Sequence, residues 1–166
     1  MPPKENIERK TNLLKVITKT LKVIAITRIE VNMKKCHHVC IQTDCYEASL
    51  DFYTRVMAFA IVKETKHFHE RLYNTWLECD GFMIELQTNR EHEVLTEYSD
   101  TQKGLVHFCF MVEDVECEYE RIKALGYNTF KYKPSSKSAI YEVEGGKLLK
   151  IVAPEGTIIE IRDKEL

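Results

Sequence analysis

Two stretches of this chain carry the same potential chemistry in the same order. His38 leads into Val39-Cys40-Ile41, and Glu85 lies in a later run, Phe82-Met83-Ile84-Glu85-Leu86-Gln87. His107 leads into Phe108-Cys109-Phe110-Met111, and Glu160 lies in Thr157-Ile158-Ile159-Glu160-Ile161-Arg162. Aligning His38 with His107 puts Cys40 on Cys109 and brings the helical stretches that follow into correspondence. One motif is therefore written twice, with a loop about six residues longer in the second copy.

Two imidazoles and two carboxylates make a ligand set for a borderline divalent cation, and zinc, nickel, cobalt, manganese and iron all accept it. Side chains alternate along a strand, so His38, Cys40 and Gln42 share one face, His107, Cys109 and Met111 another, and Glu160 shares a face with Arg162. The neighbours on the opposite faces are apolar. A carboxylate between Ile84 and Leu86, or between Ile159 and Ile161, sits in a strand patterned for burial and needs a partner there. A lone strand histidine is usually structural, and that reading suits His37, His67, His69 and His92, which have no repeat partner. The four repeated positions instead point to one metal site on a concave sheet face, leaving coordination positions open to a substrate with adjacent oxygens.

At 166 residues, 44% hydrophobic and 30% charged, the chain has enough material for one substantial core or two small fused modules. A net charge of −2 gives no footprint for nucleic acid, and no apolar run is long enough for a membrane span. The expectation is a cytoplasmic enzyme or binding protein. Its six cysteines, without a CxxC pair or a signal-peptide pattern, read as reduced thiols. Cys40 and Cys109 are expected to be buried or to line a cavity, and Cys36, Cys45, Cys79 and Cys117 to serve as small apolar residues.

The elements that must position the ligands follow from local pattern. Residues 1–32 form an extension whose Leu14, Ile17, Leu21 and Ile24 predict an amphipathic helix. The domain proper spans 33–163, as module one at 33–89, a polar linker at 90–103 and module two at 104–163. Asp44 with Glu47 predicts a capped helix to about Met57, with Leu50, Tyr53, Val56 and Met57 inward. Strands are expected at 58–64 and 70–79, with Asp80-Gly81 as a tight turn into 82–87. In module two a strand at 105–113 precedes an Asp114-capped helix that stops at Gly126. Strands at 128–132 and 147–152 then lead through Pro154-Glu155-Gly156 to the last. Between them, 134–146 reads as a mobile cover over a site. The fold class is α+β, two βαβββ modules with an N-terminal helical extension.

His38-Val-Cys-Ile, Ser49-Leu-Asp-Phe-Tyr53, Phe82-Met-Ile-Glu-Leu86, Gly104-Leu-Val-His107 and Pro154-Glu-Gly-Thr-Ile-Ile-Glu-Ile161 resemble the vicinal oxygen chelate superfamily over residues 34 to 163. That superfamily includes glyoxalase I, bleomycin-resistance proteins, extradiol dioxygenases, fosfomycin-resistance enzymes and methylmalonyl-CoA epimerase. The resemblance implies paired modules whose curved sheets enclose one divalent metal, zinc or nickel, held by His38, Glu85, His107 and Glu160. A glutamate at position 85 is similar to glyoxalase I (lactoylglutathione lyase), and Asn89 falls where that enzyme has an asparagine contacting glutathione. The implied activity is a proton shift between adjacent carbons of a hemithioacetal, such as that of methylglyoxal, or of a 2-hydroxycarbonyl, through a metal-stabilised enediolate. Glu160 or Glu85 would be the base, and Gln42, Asn89 and Arg162 would contact the substrate. Gln42 departs from the arginine common in bacterial glyoxalase I, and a neutral amide cannot replace a bidentate cation at a carboxylate. Ala153 replaces the usual acidic residue before the Pro-x-Gly turn. An acyl-CoA epimerase and a non-catalytic small-molecule-binding protein are the alternatives. The partner is a small molecule, with a homodimer expected, and the site closes either within one chain or across two.

Overall fold

The structure is a computed structural model and describes residues 14–18, 35–99, 101–135 and 137–164. The chain divides into two compact units, Met1–Cys36 and His37–Leu166. In the first, residues 14–18 are helical and the Thr18 hydroxyl donates to the Leu14 carbonyl at 2.8 Å. Leu14 and Ile17 are exposed there, and the predicted Leu21 and Ile24 lie outside the described residues.

The second unit begins with β1, Val39–Thr43, followed by helix α1, Tyr46–Asp51, which continues as a π-helical turn over Phe52–Val56. Strands β2 (Ala60–Phe68), β3 (Arg71–Cys79) and β4 (Phe82–Thr88) complete a four-stranded sheet in the order β1-β4-β3-β2. β1 and β4 pair in parallel, so a crossover is required, and α1 with the β2–β3 hairpin supplies it. Asp80 (φ 48°) and Gly81 (φ 77°) are both left-handed, as a two-residue hairpin turn demands.

Module two repeats the plan with β5 (Phe108–Met111), α2 (Val115–Ala124), β6 (Phe130–Lys131), β7 (Ile140–Val143), β8 (Gly146–Val152) and β9 (Ile158–Arg162). Its sheet runs β5-β9-β8-β6, with β7 also paired to β8. Asp114 caps α2 by accepting from the Cys117 amide at 2.8 Å.

Three local expectations are corrected. Asp44 is not the cap of α1: the cap position is Cys45, whose amide donates to Thr43 Oγ1 at 3.0 Å, so the last residue of β1 makes the turn. The expected cover at 134–146 is partly β7, held to β8 by a regular antiparallel ladder, because Ile140 and Tyr141 find Leu149 and Leu148 opposite them on that strand. Cys36 and Cys117 are exposed rather than packed as small apolar residues, and Cys109 is exposed rather than buried, while Cys40 is exposed and lines a groove. Cys40 and Cys109 stand on the open sheet faces, where one chain supplies no covering layer.

Both modules share one core. Tyr53, Val56, Leu77, Ile84 and Leu86 of the first merge with Val115, Ile122, Leu149, Ile159 and Ile161 of the second. The helices cap one another: Arg55 Nη1 donates to the Leu125 carbonyl at 2.7 Å and Arg121 Nη2 to the Val56 carbonyl at 2.6 Å. These reciprocal bonds satisfy carbonyls that a helix end leaves open. Ser49 Oγ (2.8 Å) and the Tyr53 hydroxyl (2.6 Å) both donate to the Glu155 carboxylate, tying α1 to the turn before β9. Burial pushes the Tyr53 phenol well above its ordinary pKa, so it remains a donor. Tyr53→Phe therefore leaves a carboxylate short of a donor and should cost about 1.5–3 kcal/mol of unfolding free energy by denaturant titration. A change below about 0.5 kcal/mol would show the bond to be dispensable.

No helix among the described residues is long and apolar enough to cross a membrane.

Candidate functional site

β4 and β9 are the second strands of their sheets; β4 alternates between buried and half-buried residues, whereas β9 is buried on both faces from Ile158 to Ile161. Ile84 and Leu86 of β4, and Ile159 and Ile161 of β9, turn into the core, which aims Glu85 and Glu160 at the opposite faces. His38 and His107 immediately precede β1 and β5, and the register sets Cys40 beside Glu85 and Cys109 beside Glu160. The two halves reproduce one geometry: His38 Nε2 lies 3.6 Å from Glu85 Oε2, and His107 Nε2 lies 3.5 Å from Glu160 Oε2.

Those separations exceed an ordinary N–H···O distance. They approach the about 3.4 Å between neighbouring ligands of a tetrahedral zinc ion. Each pair therefore presents an imidazole and a carboxylate towards a shared point, and hard and borderline donors together suit a divalent ion. Among the described residues, no group of three or more His, Cys, Asp or Glu is gathered as a metal site within one chain. The predicted ligands come together as two pairs, one per sheet.

Supporting residues orient each pair, and the halves differ in how. In module one, Asn74 Nδ2 donates to Glu85 Oε1 at 2.8 Å, leaving Oε2 for His38. His38 Nδ1 lies 2.8 Å from His37 Nδ1, and the His38 ring meets Trp76 edge-on at 4.9 Å between centroids. His37, read from sequence as structural, thus braces a candidate ligand as outer partners of metal histidines do. In module two, Lys150 Nζ lies 3.4 Å from Glu160 Oε2, the oxygen that also faces His107. Register explains the swap: Trp76 lies opposite Glu85 on β3, and Lys150 lies opposite Glu160 on β8. His107 Nδ1 and Arg162 Nε are buried without a hydrogen-bond partner, so this half carries unmet polar capacity that a ligand or second chain can relieve.

Burial and then the Glu160 carboxylate push the Cys109 thiol up to about 11, and Cys40 is raised mainly by burial. Both stay protonated at neutral pH, which argues against a thiolate nucleophile. Gln42 is exposed and lines, with Cys40, Tyr98, His107 and Thr157, a groove of about 330 Å³ between β1 and β5. Asn89 is half-buried, and its amide donates to the Arg90 and Glu93 carbonyls at 3.2 and 2.7 Å, which folds the turn after β4. Arg162 ends β9 on the Glu160 face.

Asn74 and Lys150 escaped sequence reasoning, because only register shows which residue crosses to each glutamate. His37 was visible as a neighbour of His38, without a signal that its ring turns back.

A family model for the Glyoxalase/Bleomycin resistance protein/Dioxygenase superfamily matches residues 35–134. The chain belongs to that superfamily. No curated protein matches it. Among solved structures, it is similar to a glyoxalase family protein from Enterococcus faecalis (20% identity, TM-score 0.61, covering 79% of this chain and 98% of that one). It is also similar to the trypanothione-dependent glyoxalase I of Leishmania major (18%, 0.59, 79% and 87%). A third likeness is to TnmS3, an antibiotic binding protein from Streptomyces sp. CB03234 (13%, 0.56, 82% and 100%). At these identities the likenesses carry the fold.

Proposed function

We propose that the chain is a metal-dependent lyase or isomerase of the glyoxalase I type, acting on a hemithioacetal or 2-hydroxycarbonyl, and that its site closes between two copies. The observation that carries this reading is the pair of repeat-matched His–Glu couples at 3.6 and 3.5 Å. Either couple alone supplies half of a four-ligand set, and a homodimer joining module one of one copy to module two of the other supplies the whole. His38, Glu85, His107 and Glu160 would then hold zinc or nickel. Held there, such an ion would supply Lewis acidity to substrate oxygens.

The chain's own groups do the rest. Glu160 accepts the proton from the substrate carbon at Oε2 and returns it to the adjacent carbon, with His107 orienting the carboxylate. Glu85 stays fixed by Asn74. Gln42 and Arg162 contact the substrate, Gln42 from the groove between β1 and β5, and Asn89, whose amide is held by the Arg90 and Glu93 carbonyls, has only its side-chain oxygen to offer. An uncharged amide at Gln42 suits a polar group better than a carboxylate, which widens the choice of thiol beyond glutathione.

The likeness to an antibiotic binding protein and the split of the ligands within one chain favour a second reading, a non-catalytic cleft that sequesters a small molecule. Calorimetric titration of the metal-stripped chain with zinc and nickel separates the two, followed by an assay with methylglyoxal plus glutathione or other thiols. The lyase reading expects about one ion per chain and turnover that depends on it. A chain that takes up neither ion at saturation leaves the binding protein.

A further inference from the structure

The two halves are unlike at matched positions, and the difference is one of charge. Around Glu85 the cross-strand neighbours are Trp76 and, diagonally, Asn74. Around Glu160 they are Lys150 and, on the same face two residues along β9, Arg162. Lys131 lies directly opposite Lys150 on β6, continuing the cationic row. Like charges paired across a ladder destabilise a sheet unless other groups offset them, and Glu160 is the carboxylate that faces Lys150.

Lys150 lies directly opposite Glu160 on β8, 3.4 Å from its Oε2, and Arg162 follows two residues along β9 on that same face, so register sets the two cations diagonally beside each other. Arg162 Nε is buried with no hydrogen-bond partner, a donor that a folded chain normally satisfies. Among the described residues, Lys150 Nζ pairs with Glu160 Oε2 at 3.4 Å, the same oxygen that faces His107.

We infer that Lys150 and Arg162 form an oxyanion-binding wall beside the reaction centre, and that the substrate carries a carboxylate or phosphate monoester there. This rests on the reading that the Glu160 face lines the substrate cleft. A planar guanidinium and an ammonium at one point match such oxygens, and both are poor neighbours for an apolar substituent.

The test needs no metal and no turnover. Removing the competing carboxylate frees Lys150, so the metal-stripped full chain carrying Glu160→Gln should bind inorganic phosphate or acetate about ten-fold or more tightly than the stripped native chain, by calorimetry at constant ionic strength. Preference for phosphate assigns a phosphate ester, and preference for acetate a carboxylate. Adding Lys150→Gln or Arg162→Gln should remove the gain, while Lys150→Arg should keep it, which separates lost charge from lost fold. Binding of neither probe to the Glu160→Gln chain overturns the inference, as does binding that both added substitutions leave unchanged. Zinc titration of the native chain is scored separately. Anion binding without zinc binding keeps the wall and removes the lyase reading, and zinc binding without anion binding does the reverse.

Discussion

Glu160→Gln, assayed at saturating metal, should lower kcat by about a thousand-fold while the chain still folds. The substitution keeps shape and removes the charge and the proton-accepting oxygen. Lys150, left behind, keeps a quarter of its side chain in water, so no ion is stranded in the core. The contrast with Glu85 comes from the repeat. Asn74 tethers Glu85 Oε1, whereas the matching position two residues before Lys150 is Leu148, buried and unable to hydrogen-bond. Glu160 therefore lacks the amide tether that fixes Glu85 and is held instead at Oε2 by Lys150 and His107, contacts long enough to give way to a substrate proton. A metal-bound carboxylate is a poor base, so the less tethered of the two is the one that can serve. Glu85→Gln should act chiefly on metal affinity, weakening it about 10- to 100-fold with a smaller change in kcat at saturation. Steady-state kinetics over a zinc titration, with circular dichroism melts alongside, measure both. A Glu160→Gln chain within about ten-fold of native kcat would remove Glu160 from the chemistry.

Much of this arrangement can be read before any coordinates. The alternation around Glu85 and Glu160 fixes which face each takes, because a one-residue slip would drive Ile84 or Ile159 into water. Duplication of the His–Glu spacing then implies that both faces serve one purpose. Strand neighbours are less legible: Asn74 and Lys150 reach their glutamates across β3 and β8, and nothing along the chain announces register. β7 was hidden because a Ser- and Lys-rich stretch carries the composition of a loop, and Ile140 and Val143 are too few to show a period. The cap of α1 was misplaced because Thr43, buried at the end of β1, competes with Asp44 for the same turn. Whether the two His–Glu pairs meet within one chain or across two depends on packing, which periodicity does not encode.

Mixing chains decides that last point. At metal too dilute to load a site that lacks Glu85, a Glu85→Gln chain and a Glu160→Gln chain, each nearly inactive alone under that condition, should recover activity when refolded together. In either homodimer every site lacks one glutamate. In the mixed dimer both substitutions fall in one site, and the other is native. Random pairing makes half the dimers mixed, so about a quarter of all sites, and of native activity, should return. The surface gives a reason for a second copy to be present. β2 is an edge strand whose Ile61, Val62 and Phe68 are exposed, with Leu72 exposed beside them on β3. An edge with that much apolar surface invites pairing or cover. The open faces bearing His38 and His107 are likewise uncovered in one chain, and the buried His107 Nδ1 lacks a partner. Purifying the mixture through two different tags isolates the mixed dimer, whose zinc content should be near half that of native protein at limiting metal. If the mixture stays as inactive as its parts, the four ligands do not meet across two chains, and since one chain does not gather them either, the lyase reading falls with the dimer.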